Sequence, residues 1–384
     1  MCGTPEVGKW PEDWLRLNAI CPYYTMFPLD FPLDQLKLYP DARRVLDPFC
    51  GRGTTLYAAR LAGRQAIGID INPVAVAIAR AKTVQASPAA VLRLARRILR
   101  DVDDVEIPQG EFWEWAFHAD TLREVVALRD GLRASSDAPT VQLLRALLLG
   151  ALHGPRNKGA PSYLSNQMPR TYASKPAYAM RYWRKHSLSP VRVDTVGVIK
   201  RRAERVLNDC PPRTPSRVIL GDAVGSVMAL RQRFDLVITS PPYYGMRTYV
   251  ADQWLRNWFV GGPPEVPYGS EGQLARQPSQ AAFVSALAEV WRAAANRCTP
   301  KGHLAIRFGA LPSAKVSPEK LIVASLREAG VGWLVRDVRP VGVPSRHRRQ
   351  AEQFNSTGRV VGRAVDEIDL IAELVPTRGR RQPQ

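Results

Sequence analysis

Hydrophobic and polar positions alternate in short strand-like runs followed by longer helical periods. The first unit comprises a predicted strand, Arg44–Asp47, a glycine-bearing turn, Pro48–Gly53, and a helix, Thr54–Ala62. A second strand, Ala66–Ile71, and a second helix, Pro73–Lys82, follow directly. The order strand, turn, helix, strand, helix is the opening of a parallel, doubly wound sheet.

Further strand patterns return in the second half of the chain. Arg217–Leu220 and Phe234–Thr239 are followed by His303–Phe308, which comes after a predicted Pro-Lys-Gly turn, and by a final pair, Trp333–Val338 and Ile368–Leu374. We therefore predict an α/β fold with a doubly wound, Rossmann-like sheet that closes on a late hairpin.

Between the two sets of strands the periodicity is helical, as in Ala90–Leu99 and Val141–Leu152. We interpret this stretch as an insertion into the sheet domain. An irregular lead-in, Trp10–Tyr39, is predicted to end in a short helix. The predicted division of the chain is 1–86 for the N-terminal segment and first half of the sheet, 87–208 for the helical insertion, 209–376 for the second half of the sheet, and 377–384 for a basic, disordered tail.

Charge and cysteine usage narrow the class of partner. The chain has 54 Lys and Arg against 35 Asp and Glu, a formal net charge of +19, which favours a polyanion such as nucleic acid. Its five cysteines form no C-x-x-C pair, so we predict neither a metal site nor a disulfide framework. No apolar run of about 18 residues is present, and we predict a cytoplasmic protein without a membrane partner.

Acidic residues and glycines follow the predicted strands where open α/β sheets bind ligands. The stretch Asp47–Thr55 is a strand-to-helix turn in which glycines allow a close approach of the backbone to a ligand. Asp70 ends the next strand, where a carboxylate can accept the ribose hydroxyls of an adenosine moiety, or can cap a helix. Asp222 ends the following strand and is a candidate acceptor for an adenine amino group.

The strand Phe234–Thr239 runs into Ser240-Pro241-Pro242-Tyr243. Two successive prolines lock the backbone and remove two N–H donors, so carbonyl groups there remain free to accept hydrogen bonds. An amine substrate is a suitable donor.

These two motifs resemble those of the DNA amino-methyltransferases, which combine an F-x-G-x-G cofactor loop with a loop of Asp, Asn or Ser, two prolines and an aromatic residue. The matching residues here are Phe49-Cys50-Gly51-Arg52-Gly53 and Ser240-Pro241-Pro242-Tyr243. Serine in the first position resembles the cytosine-N(4) branch. The fold implied is a class I S-adenosylmethionine-dependent methyltransferase sheet.

The resemblance implies methyl transfer from S-adenosylmethionine to the exocyclic N(4) amine of a flipped cytosine in double-stranded DNA, without a covalent intermediate or a metal. Ser240 and Pro241 would hold the amino hydrogens, and Tyr243 would stack on the base. Tyr23–Pro28 is similar to the family's additional cofactor segment. The candidate cofactor residues are Phe27, Asp47, Phe49, Cys50, Gly51, Gly53, Thr54, Asp70, Ile71, Asp222 and Ala223.

The insertion interleaves cations with aromatic residues, which suits phosphates and bases. We therefore interpret the insertion as a target-recognition region. This interpretation is a hypothesis, because the familiar motif orders of the family place that region elsewhere in the chain. The alternative is a solvated helical cap. The candidate nucleic-acid contacts are Arg156, Lys158, Arg170, Lys175, Arg181, Arg184, Lys185, Arg346, Arg348 and Arg349.

Four alternative functions remain open at this point. They are adenine-N(6) methylation of DNA, guanine-N(2) methylation of tRNA by a related enzyme with a D-P-F-C-G-S-G-T loop, nucleic-acid binding that senses the cofactor without catalysis, and methylation of a protein, against which the net charge of +19 argues. A cognate restriction endonuclease is a partner that the family allows. The sequence decides neither that pairing nor the oligomeric state.

Overall fold

The computed structural model describes residues 10–23, 27–100, 105–155, 161–166, 176–244, 253–265, 277, 279–309, 316–341 and 367–375. Within them the strands are β1 (Arg44–Asp47), β2 (Gln65–Asp70), β3 (Ser216–Leu220), β4 (Phe234–Thr239), β5 (Cys298–Gly309), β6 (Trp333–Pro340) and β7 (Glu367–Leu374). The helices are α1 (Glu12–Arg16), α2 (Asp30–Leu38), α3 (Thr54–Leu61), α4 (Pro73–Thr83), α5 (Pro88–Ile98), α6 (Glu111–Ala116), α7 (Ala119–Arg133), α8 (Pro139–Ala151), α9 (Pro176–Lys185), α10 (Thr195–Leu207), α11 (Ala223–Met228), α12 (Trp254–Phe259), α13 (Gln280–Arg297) and α14 (Pro318–Ala329).

The strands form one sheet in the order β3-β2-β1-β4-β5-β7-β6. β1 to β5 pair in parallel, and β7 lies antiparallel between β5 and β6. The chain moves outward from β1 to β3 and then returns to place β4 on the other side of β1. This reversal between β1 and β4 is the topological switch point at which doubly wound sheets bind ligands.

Two apolar cores cover the two faces of the sheet. On one face α3, α4 and the insertion helices pack through residues such as Leu56, Ile78 and Leu147. On the other face α11, α13 and α14 pack through Trp291, Ile322 and neighbours. Burial on both faces explains the nearly continuous hydrophobic character of strands such as β4.

Helices α5 to α10 lie between α4 and β3 in the chain and add a helical layer to the α3–α4 side of the sheet. α8 is almost wholly apolar, and it packs on α4 and against α5 and α10. α12, which comes from the chain after β4, inserts Trp254 and Trp258 next to Trp113 of α6. The insertion is therefore packed against the segment that follows the Ser-Pro-Pro-Tyr loop.

The predicted doubly wound sheet with a helical insertion is confirmed. One detail was wrong: Pro300, Lys301 and Gly302 do not form a separate turn, because β5 already begins at Cys298. The register between β4 and β5 shifts there, and Lys301 has a φ of 62°. An irregularity inside a strand carries the same Pro and Gly signals as a turn, so the sequence alone does not separate the two.

Candidate functional site

Polar side chains collect where four adjacent parallel strands end. The register pairs Asp47 of β1 with Gly68 of β2, and Asp70 of β2 with Leu220 of β3. On the other side of β1, β4 pairs with β1 as far as Val237, and β4 ends one residue before Ser240. The glycine loop, the two acids and the Ser-Pro-Pro-Tyr loop consequently lie along the same edge of the sheet, at the switch point.

The loop between β1 and α3 depends on two glycines with left-handed backbone. Gly51 has a φ of 49° and Gly53 a φ of 79°, values that cost non-glycine residues energy. A Cβ on Gly53 would lie 2.9 Å from the Cβ of Ala79 in α4. Gly53 thus sets both the shape of the loop and the close packing of α3 on α4.

Asp70 holds this loop through its carboxylate. Its Oδ2 accepts a hydrogen bond from the Gly51 N–H at 2.8 Å, and its Oδ1 accepts one from the Asn72 N–H at 2.8 Å. Burial raises the pKa of Asp70 to about 6, although the backbone donors oppose that rise. Two acceptor oxygens with about four lone-pair sites leave capacity for hydroxyl donors of a ligand.

Asp47 is fully buried at the end of β1 and is only partly satisfied. Its Oδ1 accepts from the Thr239 hydroxyl at 2.6 Å and from the Phe49 N–H at 3.1 Å. Its Oδ2 is buried and accepts no hydrogen bond from the described residues. Burial raises the pKa of Asp47 to about 6, an effect that the Thr239 and Thr55 hydroxyls oppose and that the charge of Asp70 reinforces.

An orphaned buried oxygen of this kind is costly unless a ligand satisfies it. The Thr239–Asp47 hydrogen bond also connects the glycine loop with the Ser-Pro-Pro-Tyr loop, because Thr239 immediately precedes Ser240. A second link joins the same elements: the Thr55 hydroxyl of α3 donates to the Ile238 carbonyl at 3.3 Å.

In the Ser-Pro-Pro-Tyr loop, Pro241 is buried and the other three residues are partly exposed. The Tyr243 hydroxyl donates to Glu367 Oε1 at the start of β7 at 2.8 Å. The Tyr243 ring meets the Phe308 ring edge-on, with centroids 5.4 Å apart, and a Cβ on Gly309 would come within 2.8 Å of it. β5 and β7 therefore hold this ring on one side.

Two described residues of the predicted additional cofactor segment are Tyr23 and Phe27. The Tyr23 hydroxyl accepts a hydrogen bond from Asn72 Nδ2 at 3.0 Å. Burial, with the nearby Asp70 charge, raises the pKa of Tyr23. Phe27 is partly buried and packs edge-on against Phe31, with centroids 5.5 Å apart. Tyr23, the first residue of the predicted additional cofactor segment, therefore lies beside the end of β2, whereas residues 24–26 of that segment lie outside the described residues.

The remaining predicted cofactor residues differ from one another in burial and in packing. Ile71 is 57% exposed next to Asp70. The thiol of Cys50 faces Gly68 of β2, where a Cβ would come within 2.9 Å of it, so Cys50 is a packing residue whose backbone belongs to the loop. Phe49 packs edge-on against Trp291, and Thr54 is buried as the first residue of α3.

Asp222 is exposed and caps α11, which begins at Ala223: its Oδ1 accepts from the Gly225 N–H at 2.7 Å. It lies at the same edge of the sheet as Asp70, two residues beyond the end of β3. Its second carboxylate oxygen makes no hydrogen bond to the described residues, so the predicted contact with an adenine amino group stays a prediction.

Among the candidate nucleic-acid contacts, Arg181, Arg184 and Lys185 are exposed on α9. Arg184 forms an ion pair with Glu111 and lies over the Trp115 ring, 5.8 Å from its centroid. The predicted contacts that lie outside the described residues are Arg156, Lys158, Arg170, Lys175, Arg346, Arg348 and Arg349.

Sequence reasoning missed four residues of the site: Thr55, Asn72, Thr239 and Glu367. Only Asn72 had a local signal, since Asn before Pro at the start of a helix is a typical N-cap, and its Oδ1 accepts from the Val74 N–H at 2.9 Å. The other three act across long sequence separations, as in the contact between Tyr243 and Glu367.

Comparison with protein families gives one match: residues 22–81 match a family described as DNA methylase (N6_N4_Mtase). The matched region contains the predicted additional cofactor segment Tyr23–Pro28, the glycine loop and Asp70. Comparison with curated proteins finds no match.

Solved structures give low-similarity matches. The rRNA methyltransferase aviRa from Streptomyces viridochromogenes is 15% identical, with 92% of this chain and 87% of that chain covered and a TM-score of 0.34. The 16S rRNA (adenine(1408)-N(1))-methyltransferase from Catenulisporales acidiphilia is 14% identical, with 94% and 96% covered and a TM-score of 0.34. Magnesium protoporphyrin IX methyltransferase (ChlM) from Synechocystis PCC 6803 is 10% identical, with 94% and 90% covered and a TM-score of 0.32.

The strand order, with its single antiparallel strand β7, is itself that of the class I S-adenosylmethionine-dependent methyltransferase sheet expected from the resemblance. The fold class predicted from the sequence is therefore confirmed. In the part of the chain that the structure describes, no helix is long and apolar enough to cross a membrane, and no cluster of three or more His, Cys, Asp or Glu has the arrangement of a metal site.

Proposed function

We propose that this protein is an S-adenosylmethionine-dependent DNA methyltransferase that methylates an exocyclic amine, with N(4) of cytosine favoured over N(6) of adenine. The observation that carries the proposal is the hydrogen bond between Asp47 and Thr239. This hydrogen bond connects the glycine loop to the loop Ser240-Pro241-Pro242-Tyr243. The acid that accepts it, Asp47, is buried and keeps one oxygen without a partner among the described residues. The match of residues 22–81 to a DNA methylase family supports the same class.

The residues fit S-adenosylmethionine. The orphaned Oδ2 of Asp47 suits the α-ammonium group of its methionine moiety. Asp70 has acceptor capacity for ribose hydroxyls, and the absence of side chains at Gly51 and Gly53 lets the backbone approach a ligand closely. The bound cofactor supplies an electrophilic methyl group on a sulfonium.

The Ser-Pro-Pro-Tyr loop suits the amine substrate. The Ser240 hydroxyl and the Pro241 carbonyl accept the two amino hydrogens, which directs the nitrogen lone pair towards the methyl carbon. The sulfonium would supply the methyl group and leave as the neutral thioether, and the extra proton of the amine would pass to solvent. Positioning is the main contribution of the protein to this direct transfer.

Duplex DNA is the proposed substrate, from which the target base leaves the stack and lies on Tyr243. The net charge of +19 supports a polyanionic partner. Arg181, Arg184 and Lys185 on the exposed side of α9 are the described part of the proposed recognition surface. Association with a restriction endonuclease and a cytoplasmic location remain predictions.

One alternative has its own support. The loop Asp47-Pro48-Phe49-Cys50-Gly51-Arg52-Gly53-Thr54 is close to the D-P-F-C-G-S-G-T loop of tRNA guanine-N(2) methyltransferases. Ser240, where that class has asparagine, favours the DNA reading.

The test is transfer of labelled methyl from S-adenosylmethionine to duplex DNA and, in parallel, to bulk tRNA, followed by nucleoside digestion and mass spectrometry. Asp47→Asn serves as the variant impaired in cofactor binding, and Asp34→Asn, an exposed change on α2, serves as its matched control. N(4)-methylcytosine is the expected product. N(6)-methyladenine would change the base alone, label confined to tRNA would favour the alternative, and cofactor binding without label would indicate a protein without catalysis.

A further inference from the structure

Helix α5 carries arginines on one side and apolar residues on the other. Val91, Leu94 and Ala95 are buried, whereas Arg93, Arg96 and Arg97 are exposed. Residues three and four positions apart share one face of a helix, so these arginines form a single outward stripe. Their guanidinium groups are like charges at close spacing, which destabilises a helix unless a counter-charge is present.

Helix α10 extends this stripe sideways. α10 packs against α5, both helices pack on α8, and α8 packs on α4. Val198, Ile199 and Ala203 of α10 are buried, and Lys200, Arg201 and Arg205 are exposed. We define the basic face as the exposed cations of these two helices: Arg93, Arg96, Arg97, Lys200, Arg201 and Arg205.

The basic face is almost without carboxylate partners among the described residues. Lys200 lies 3.9 Å from Glu204 on its own helix, and Arg201 donates to the Pro161 carbonyl at 3.3 Å. The other four make no ion pair or hydrogen bond there. With Glu204 and Asp194, the exposed N-cap of α10, the six cations leave a net charge of +4 on the face.

Other arginines of the same helical layer do have partners. Arg192 forms ion pairs with Glu124 and Asp120, and Arg145 lies 3.8 Å from Asp137. Arginines elsewhere in the insertion therefore have carboxylate partners, whereas the cations of the basic face have almost none. Four of the six cations have no counter-charge within hydrogen-bonding distance among the described residues.

We propose that the basic face binds the phosphate backbone of duplex DNA. The proposal rests on the proposed function and adds a contact surface separate from the α9 cations. Guanidinium groups suit phosphate, to which they can donate two parallel hydrogen bonds. Arg93 to Arg97 spans about 6 Å of helix, which matches about two phosphates of one DNA strand. Contacts of this kind position the protein and do not read bases.

The test compares Arg93→Gln/Arg97→Gln with a matched control, Lys320→Gln/Arg327→Gln. The control removes the same charge from exposed positions of α14, on the opposite face of the sheet. Glutamine is a good helix former, and circular dichroism verifies that both variants are folded. The probe is a labelled duplex of random sequence, and its affinity is measured over a salt series.

We expect the slope of log affinity against log salt concentration to fall by about 2 in the α5 variant, because about one counterion is released per phosphate contact. The control should keep the wild-type slope. In methyl transfer, KM for DNA should rise with kcat unchanged.

Equal slopes for the α5 variant and the control would overturn the proposal. A parallel salt series with labelled tRNA, in which the α5 variant lost affinity for tRNA alone, would also overturn it and make this an RNA surface. If wild-type protein methylates DNA while the slopes are equal, the inference fails and the proposed function stands. If the slope falls as expected but no label enters DNA, the basic face stands as a DNA-binding surface and the proposed function fails.

Discussion

Acidification provides the most direct test of the role of Asp47. The pKa of this buried carboxyl is raised to about 6, so it loses its charge just below neutral pH. In the absence of ligand, the raised pKa of Asp47 determines how the free energy of unfolding changes with pH. Between pH 3.8 and about 6 the native state holds a proton that the unfolded state has lost, so the free energy of unfolding falls as pH rises through that window.

Cofactor binding should have the opposite pH dependence. If the orphaned Oδ2 of Asp47 binds an α-ammonium group, only the ionised carboxylate provides the charge pair. With a pKa of about 6, the ionised fraction is about 0.9 at pH 7 and about 0.1 at pH 5, so the Kd should rise about tenfold. Asp70, whose pKa is also raised to about 6, adds up to another factor of about ten if its charge is required.

The measurement is isothermal titration calorimetry with S-adenosylhomocysteine, which keeps the amino-acid moiety but carries no transferable methyl. Wild-type protein and Asp47→Asn are compared at pH 5 and pH 7. The amide keeps an oxygen for the Thr239 hydroxyl but has no charge to titrate. We expect the variant to bind more weakly at pH 7 and to lose the Asp47 part of the pH dependence. An identical dependence in both proteins would refute the assignment.

Three further substitutions test the geometry of the site. Gly53→Ala should lower the free energy of unfolding by about 2–5 kcal/mol, from left-handed backbone strain and from overpacking against Ala79, as measured by urea denaturation. Thr239→Val removes a hydrogen bond that lowers the pKa of Asp47, so the midpoint of the pH dependence of cofactor binding should move upward. Tyr243→Ala should reduce kcat about 5- to 150-fold, as expected for a lost stacking contact of about 1–3 kcal/mol, while the cofactor Kd changes little in calorimetry.

Each of the three has a control and a contradicting result. Gly330→Ala has the same φ strain at 66° but no Cβ neighbour nearer than 3.9 Å, so an equal loss in both glycine variants would exclude the contact with Ala79. An unmoved pH midpoint in Thr239→Val would separate Thr239 from the Asp47 charge. Tyr243→Phe is the control for Tyr243→Ala, because it keeps the ring and loses the hydrogen bond to Glu367. A wild-type kcat in Tyr243→Ala would show that the ring is not part of the base pocket.

The sequence by itself determined the features that depend on neighbouring residues. Buried strands were recognisable from short apolar runs such as Phe234–Thr239, which the structure reproduces without change. The glycine loop was recognisable because only glycine adopts the backbone of Gly51 and Gly53 without strain. Since carboxyl ends of parallel strands share one edge of a sheet, the sequence also predicted that Asp47, Asp70 and Ser240 lie along it.

Tertiary structure alone decided which partners these residues have. Thr239 donates to Asp47 from 192 positions away in the chain, and Glu367 accepts from Tyr243 across 124 positions. It also brought the stripes of α5 and α10 side by side, although 97 or more positions separate them. Periodicity reports which side of an element is buried, but the neighbour that buries it depends on how the whole chain packs, and so do the pKa values and orphaned atoms that give the site its chemistry.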